Sequence, residues 1–183
     1  MVASDVRASF AGATDGFVEL TGQVPTRAWE LPALGEWDVR SLVGHASRAL
    51  STIESYLGRP GEGPTLDGPL AYFCAILPEE ADPERRRQLD RAIAERGRQS
   101  GAELGEDPAS AVAELANRVG ALVDAAADDA PVATAAGAMT LAGYLPTRTF
   151  ELAGRLAARR PDAADLLLLL TGRAGLPDGL SVL

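Results

Sequence analysis

Residues 37–45 read Trp37-Asp38-Val39-Arg40-Ser41-Leu42-Val43-Gly44-His45. Asp38 is a good helix N-cap, because its carboxylate can accept hydrogen bonds from the free backbone N–H groups of a first helical turn. An apolar stripe then follows at helical spacing, formed by Leu42, His45, Ala49, Ile53 and Tyr56. The stretch predicts an amphipathic helix that carries His45, the one histidine of the chain, on this stripe.

Outward from this helix, apolar stretches alternate with proline- and glycine-rich ones. They predict further helices over about 5–22, after Asp82-Pro83-Glu84, after Asp107-Pro108, over about 139–159 and, as a short helix, from Pro161. Residues 131–137 are predicted as a break, and no strand-like alternation is longer than a few residues.

The long helices and the irregular stretch 59–106 together predict an architecture. They are typical of an all-α protein, a four-helix bundle with a long crossover connection and additional short helices. We expect residues 1–183 to form a single domain.

The charge balance restricts the partners. A net charge of −9 argues against nucleic acid, which requires a concentrated basic patch, and against an anionic membrane surface. One stretch is rich in arginine but interleaved with acids, and it contains Arg85, Arg86, Arg87, Arg91, Arg96 and Arg98. It is typical of a solvated helix face, and an anion site is the alternative.

Two other features concern location and redox chemistry. No leader is visible and no apolar run reaches the roughly 18 residues of a membrane span, so we expect a cytoplasmic protein. Arginine without lysine suggests a bacterial genome rich in GC.

Cys74 is the one cysteine, which excludes an intramolecular disulfide, and its apolar neighbours predict a buried small side chain rather than a reactive thiol.

His45 and Glu151 are the candidate metal ligands. A catalytic zinc-type site needs three protein ligands and an open position, and imidazole and carboxylate both suit zinc or nickel. His45 and Glu151 supply two of the three, from different predicted helices. The alternative is that a lone histidine on an apolar stripe is a hydrogen-bonded core residue.

Three segments resemble a known family. Residues 37–45 resemble the start of the second helix of the DinB-like family, specifically the mycothiol-dependent maleylpyruvate isomerase N-terminal domain. Residues 145–152, which read Leu145-Pro146-Thr147-Arg148-Thr149-Phe150-Glu151-Leu152, resemble its second metal segment, and residues 169–173 with 176–180 resemble its usual ending. The resemblance implies a four-helix bundle, a divalent metal held by His-Glu-His, and a low-molecular-weight thiol whose thiolate binds that metal.

The third metal ligand of the family is missing here. By the resemblance, His45 matches the first ligand and Glu151 the second, but Arg155 stands where the third should be. Arginine stays protonated and cannot ligate a metal. Because Glu151 and Arg155 form an acid-first i,i+4 pair, we hypothesise that His45, Glu151 and Arg155 make a metal-free polar cluster. The alternative is that Arg155 points to solvent.

Neighbouring residues of the second segment are further candidates. Tyr144 and Arg148 fall on or near the helix face of Glu151 and are pocket candidates for an anionic ligand, with a surface position as the alternative. Leu145, Leu152 and the apolar tail at 181–183 are candidates for a homodimer face, with burial inside one chain as the alternative.

Two functions follow from these observations. The missing ligand favours a metal-free or metal-impaired relative of the mycothiol-dependent enzymes, which binds a small ligand or a partner at the degenerate site. The alternative is an active metal-dependent transferase or isomerase that uses a low-molecular-weight thiol on a small electrophile. The expected cofactor is therefore none or one zinc or nickel ion, with mycothiol implied by resemblance alone.

Overall fold

The computed structural model describes residues 3–33, 35–76 and 83–153. The helices in these residues are α1 (Ala3–Gly22), α2 (Val39–Tyr56), α3 (Gly68–Ile76), α4 (Pro83–Glu103), α5 (Pro108–Ala125) and α6 (Leu141–Ala153). The strands are β1 (Pro131–Thr134) and β2 (Gly137–Thr140). The prediction of a helical fold is confirmed, and the small sheet is an addition to it.

Four of these helices form a bundle. α1 packs against α5 and α6, and α2 packs against the same two helices. The interior is largely aliphatic, as the low aromatic content requires, and Leu50, Val119 and Leu145 are almost completely buried in it. The long connection from α2 to α5 carries α3 and α4. The predicted bundle with a long crossover connection is therefore confirmed.

Two predicted helix starts are confirmed by their caps. The Asp38 carboxylate accepts a hydrogen bond of 2.7 Å from the backbone N–H of Ser41 at the start of α2. The Asp107 carboxylate accepts one of 3.1 Å from the backbone N–H of Ser110 at the start of α5, where Pro108 is the first helical residue. Such caps satisfy backbone donors that have no partner inside the helix.

The predicted break between helices over 131–137 is confirmed, but the sequence did not predict that this stretch forms most of a β-hairpin that precedes α6. β1 and β2 pair antiparallel, and the Thr134 hydroxyl accepts hydrogen bonds from the backbone N–H groups of Ala136 and Gly137. The hairpin also pairs with the crossover connection, where the N–H of Leu66 donates to the carbonyl of Ala138 at 2.8 Å. Strands this short depend on such tertiary pairing.

Glycines allow α4 to lie directly on α2. A Cβ on Gly44 of α2 would collide with the backbone of Gly101 on α4, and a Cβ on Gly101 would lie 2.8 Å from the carbonyl oxygen of Arg40. A Cβ on Gly97 would lie 2.7 Å from the ring of Trp37.

The predicted start of α4 at Pro83 is confirmed, and the arginines at 85–87 are solvent-exposed, as expected for a solvated face.

The prediction that Cys74 is buried is wrong. Cys74 is exposed, whereas Tyr72, two residues earlier on α3, is buried. Two helical residues differ in direction by roughly 200°, so the two side chains leave α3 on nearly opposite sides. α3 packs against α6 by the side that carries Tyr72.

Some predictions fall on residues that the structure does not describe. Arg155, the short helix from Pro161, the segment 169–180 and the apolar tail at 181–183 lie outside the described ranges. Among the residues that are described, none of the helices combines the length and the apolar character needed to cross a membrane.

Candidate functional site

Arg148 is the centre of a buried polar cluster on α6. Its side chain is only 4% exposed, and its guanidinium donates to both carboxylate oxygens of Glu151, at 2.8 and 2.9 Å. The Nε–H group donates to the hydroxyl of Thr147 at 2.9 Å, and one terminal nitrogen also donates to the hydroxyl of Tyr72 at 3.0 Å. The cation is thus held by a bidentate ion pair and two further hydrogen bonds.

Two of the three tyrosines of the chain flank this arginine, and the third packs against one of them. The guanidinium carbon of Arg148 lies 4.5 Å from the ring centre of Tyr144 and 5.2 Å from that of Tyr72, within cation–π range. Tyr56 packs against Tyr144 with ring centres 6.4 Å apart. The hydroxyl of Tyr144 donates to the hydroxyl of Thr52 on α2 at 3.1 Å. Aromatic rings and hydroxyls therefore replace the water around the charge.

Burial governs the titration of the acidic members of the cluster. Burial raises the pKa of the Glu151 carboxyl, and the positive charges of Arg148 and Arg48 oppose that rise. Burial also raises the pKa values of Tyr72 and Tyr144 above the ordinary tyrosine value, so both hydroxyls stay protonated at neutral pH.

His45 lies partly buried under the turn that precedes α2. Its ring centre is 4.7 Å from that of Trp37, whose indole N–H donates to the carbonyl of Ala94 on α4 at 2.8 Å. The Nδ1 atom of His45 is buried and has no hydrogen-bond partner within the described structure. Burial, followed by the positive charges of Arg48 and Arg96, lowers the pKa of His45, so the imidazole is neutral at pH 7.

His45 and Glu151 lie on two helices that pack against each other, α2 and α6. The hydroxyl of Tyr144 is hydrogen-bonded to the hydroxyl of Thr52. Glu151 lies further along α6 than Tyr144, and the charge of Arg48, which lies earlier on α2 than Thr52, opposes the rise in the pKa of Glu151. The two helices therefore run antiparallel. Glu151 follows Tyr144 by seven residues and His45 precedes Thr52 by seven, steps of about 10 Å each. Arg48 acts electrostatically on both groups.

The comparison with protein families agrees with this architecture. The family model of the mycothiol maleylpyruvate isomerase N-terminal domain matches residues 10–157. The chain belongs to this family. A search of the curated proteins and a search of the solved structures each found no match. The resemblance drawn from residues 37–45 and 145–152 is thus confirmed.

The mycothiol maleylpyruvate isomerase family is associated with metal use, but the described residues do not fit a divalent ion. No group of three or more His, Cys, Asp or Glu that could hold a metal occurs among them. Both oxygens of Glu151 already accept hydrogen bonds from Arg148. His45 offers one free nitrogen, and a zinc-type site needs three ligands.

The structure decides between the alternatives for the neighbouring residues. Tyr144 and Arg148 are buried, so a surface position is wrong for both. Leu145 and Leu152 are buried inside the chain and do not form a dimer surface. Two cavities, one of about 490 Å³ between α1 and α5 and one of about 390 Å³ beside Trp37, are not lined by Tyr144 or Arg148.

Sequence reasoning missed several members of this site. Arg48 could have been found, because it follows His45 by three residues and shares its side of the helix. Tyr72 and Thr52 carry no such signal, since each reaches the cluster through a tertiary contact. The cation beside Glu151 is Arg148 in the described structure, whereas the sequence hypothesis assigned that position to Arg155, which lies outside it.

Proposed function

We propose that this protein is a metal-free member of its family, in which the guanidinium of Arg148 takes the place of a divalent cation beside Glu151. The bidentate contact of Arg148 with Glu151 carries this proposal. A guanidinium has a fixed positive charge and cannot be exchanged with solvent as an ion can. We further propose that the protein binds a small ligand or a partner at the site between α2 and α6.

The test is the metal content of the purified, untagged chain. We expect elemental analysis to find no stoichiometric zinc or nickel, before or after incubation with either ion. His45→Ala and Glu151→Gln should then leave the metal content unchanged. About one ion per chain that is lost in both variants would overturn the proposal, because a three-ligand site would then exist.

The second candidate is a metal-dependent transferase or isomerase that uses a low-molecular-weight thiol such as mycothiol. The free, buried Nδ1 of His45 favours it, because an unpaired imidazole nitrogen is a suitable metal ligand. The family name supplies the link to mycothiol. Thiol-dependent consumption of an electrophile that requires added zinc or nickel, and that fails in His45→Ala, would favour this candidate.

The wider setting of the protein is part of the same proposal. Its acidic charge supports a partner other than nucleic acid or an anionic membrane surface. A homodimer and a cytoplasmic location remain our expectations. Analytical ultracentrifugation of the purified chain tests the first, and fractionation of the source cells tests the second.

A further inference from the structure

A groove between α1 and α5 holds a cavity of about 490 Å³. This volume is within the range of small-molecule sites, roughly 300 to 1,000 Å³. Many of the residues that line the cavity are small, among them Ala11 on α1 and Ala113, Ala116 and Gly120 on α5. A Cβ on Gly120 would meet no atom of the described structure within 4 Å, so the space beside this glycine is open.

The two helices run antiparallel along the groove. Arg7, near the start of α1, donates hydrogen bonds to the carbonyl oxygens of Val123 and Ala126, at the end of α5. Val18, further along α1, and Ala113, near the start of α5, line the same cavity. The groove therefore follows both helices for about three turns.

Two carboxylates line the groove at different points along its length. Asp124 lies at the level of Arg7, because that arginine donates to the carbonyl oxygen of the preceding residue, Val123. Asp15 follows Arg7 by eight residues on α1, a step of about 12 Å along the helix axis. The two acidic groups are therefore about 12 Å apart along the groove.

Neither carboxylate forms an ion pair within the described ranges. Arg7, the cation that lines the groove, is engaged by other groups. Its guanidinium donates to the carboxylate of Asp128 at 2.9 and 2.7 Å and to the two carbonyl oxygens at the end of α5. The groove thus combines the negative charges of Asp15 and Asp124 with apolar side chains, among them Phe10.

We infer that the groove between α1 and α5 is a binding site for an aliphatic diamine, a chain of methylene groups with an ammonium group at each end. The methylene chain lies along the small apolar side chains, and each ammonium group pairs with one carboxylate. A single metal ion cannot contact both carboxylates across about 12 Å, and a monoamine leaves one of them unpaired. This site is separate from the one between α2 and α6, and it does not depend on whether the protein binds a metal.

Isothermal titration calorimetry of the whole purified chain tests the site, with 1,8-diaminooctane as the ligand and at constant pH and ionic strength. We expect saturable binding of one molecule per chain. 1,4-Diaminobutane carries the same two charges on a shorter chain and should bind at least about fivefold more weakly, because it cannot reach both carboxylates. 1,8-Octanediol has the longer chain without the charges and should show no saturable binding.

Variants identify the residues responsible. Asp15→Asn and Asp124→Asn should each weaken the binding of 1,8-diaminooctane about fivefold, because each removes one ion pair. Glu114→Gln is the matched control: it removes the same charge from an exposed position on α5 that does not line the cavity, and it should leave the affinity unchanged. Gly120→Leu places a side chain that helices accept in the open space, so it should abolish binding while the circular dichroism spectrum stays helical.

Several results would overturn the inference. Equal affinity for the two diamines, or equal weakening in Glu114→Gln, would mean that the acidic surface as a whole attracts the ligand. Equal affinity for 1,8-octanediol would mean that the carboxylates play no part. The inference also fails if 1,8-diaminooctane shows no saturable binding, or if it binds a folded Gly120→Leu variant as tightly as the unaltered chain.

Discussion

Arg148 and Glu151 are joined by two parallel hydrogen bonds of 2.8 and 2.9 Å within one turn of α6. The arginine side chain is 4% exposed and the glutamate side chain 36% exposed, so the cation is the more deeply buried partner. The carboxylate that the family resemblance predicts as a metal ligand thus has a cation supplied by its own helix. The consequences for stability and titration can be measured.

Replacing the buried cation should destabilise the fold. Arg148→Met leaves Glu151 without its counter-charge and removes the donor to Tyr72, which should lower the free energy of unfolding by about 3 kcal/mol. Urea denaturation followed by circular dichroism measures the loss. The double variant with Glu151→Leu should recover most of it, because an apolar pair needs no counter-charge. A loss in Arg148→Met below about 1 kcal/mol would contradict this account.

The control for that prediction is a pair with the same spacing on the surface. Arg87 pairs with Glu84 at i,i+3 on α4, and its side chain is 59% exposed. Arg87→Met should change the free energy of unfolding by less than about 0.5 kcal/mol, because solvent screens exposed ion pairs. The difference between the two arginine variants isolates the effect of burial.

Gly44 should accept no larger side chain, because α4 lies directly on α2 at this position. Gly44→Ala puts a methyl group against the backbone of Gly101, which cannot rotate away, and should lower the free energy of unfolding by about 3 kcal/mol. Gly12→Ala on α1, where no atom lies within 4 Å, should instead raise it by about 0.5 kcal/mol. Thermal denaturation of the two variants measures both changes, and equal shifts in melting temperature would mean that α2 and α4 do not touch at Gly44.

His45 should make the protein less stable in mild acid. Burial and the charges of Arg48 and Arg96 lower the pKa of His45 from its ordinary value of 6.5. The unfolded chain then takes up a proton before the folded one does, so the free energy of unfolding should fall as the pH drops below that value. An NMR titration of the single imidazole should give a pKa below 6.5.

The matched variant for this prediction is His45→Gln. It removes the titrating group, so the fall in stability just below pH 6.5 should disappear. Glu151 does not mimic the effect, because its raised pKa makes the folded state bind a proton more readily and therefore has the opposite sign. A measured imidazole pKa at or above the ordinary value would refute the prediction.

The thiol of Cys74 should react in the native protein. Cys74 is exposed and is the one cysteine, so a thiol reagent should add one label per chain without denaturant. The rate should lie within about tenfold of that of the urea-unfolded chain. Labelling that proceeds only after unfolding would show that the side chain is buried.

Local rules predicted much of the fold. Asp38 and Asp107 mark helix starts because a short acidic side chain can cap the backbone N–H groups within three residues, with no help from the rest of the chain. The helical spacing also placed Tyr144, Arg148 and Glu151 on one face of α6, as the structure shows. The hairpin before α6 was missed, since its strands depend on pairing with the distant residues 64–66.

The sequence by itself determined the helical bundle, the family and the helix faces on which His45 and Glu151 lie, because periodicity and capping act over a few residues. Tertiary structure alone decided that Arg148 is buried as a partner of Glu151. Arg148 and Arg155 lie three and four residues from Glu151, and both spacings permit a pair. In the described structure Arg148 forms the pair, because Tyr72 from α3 and the ring of Tyr144 enclose its guanidinium, and such contacts are absent from any local pattern.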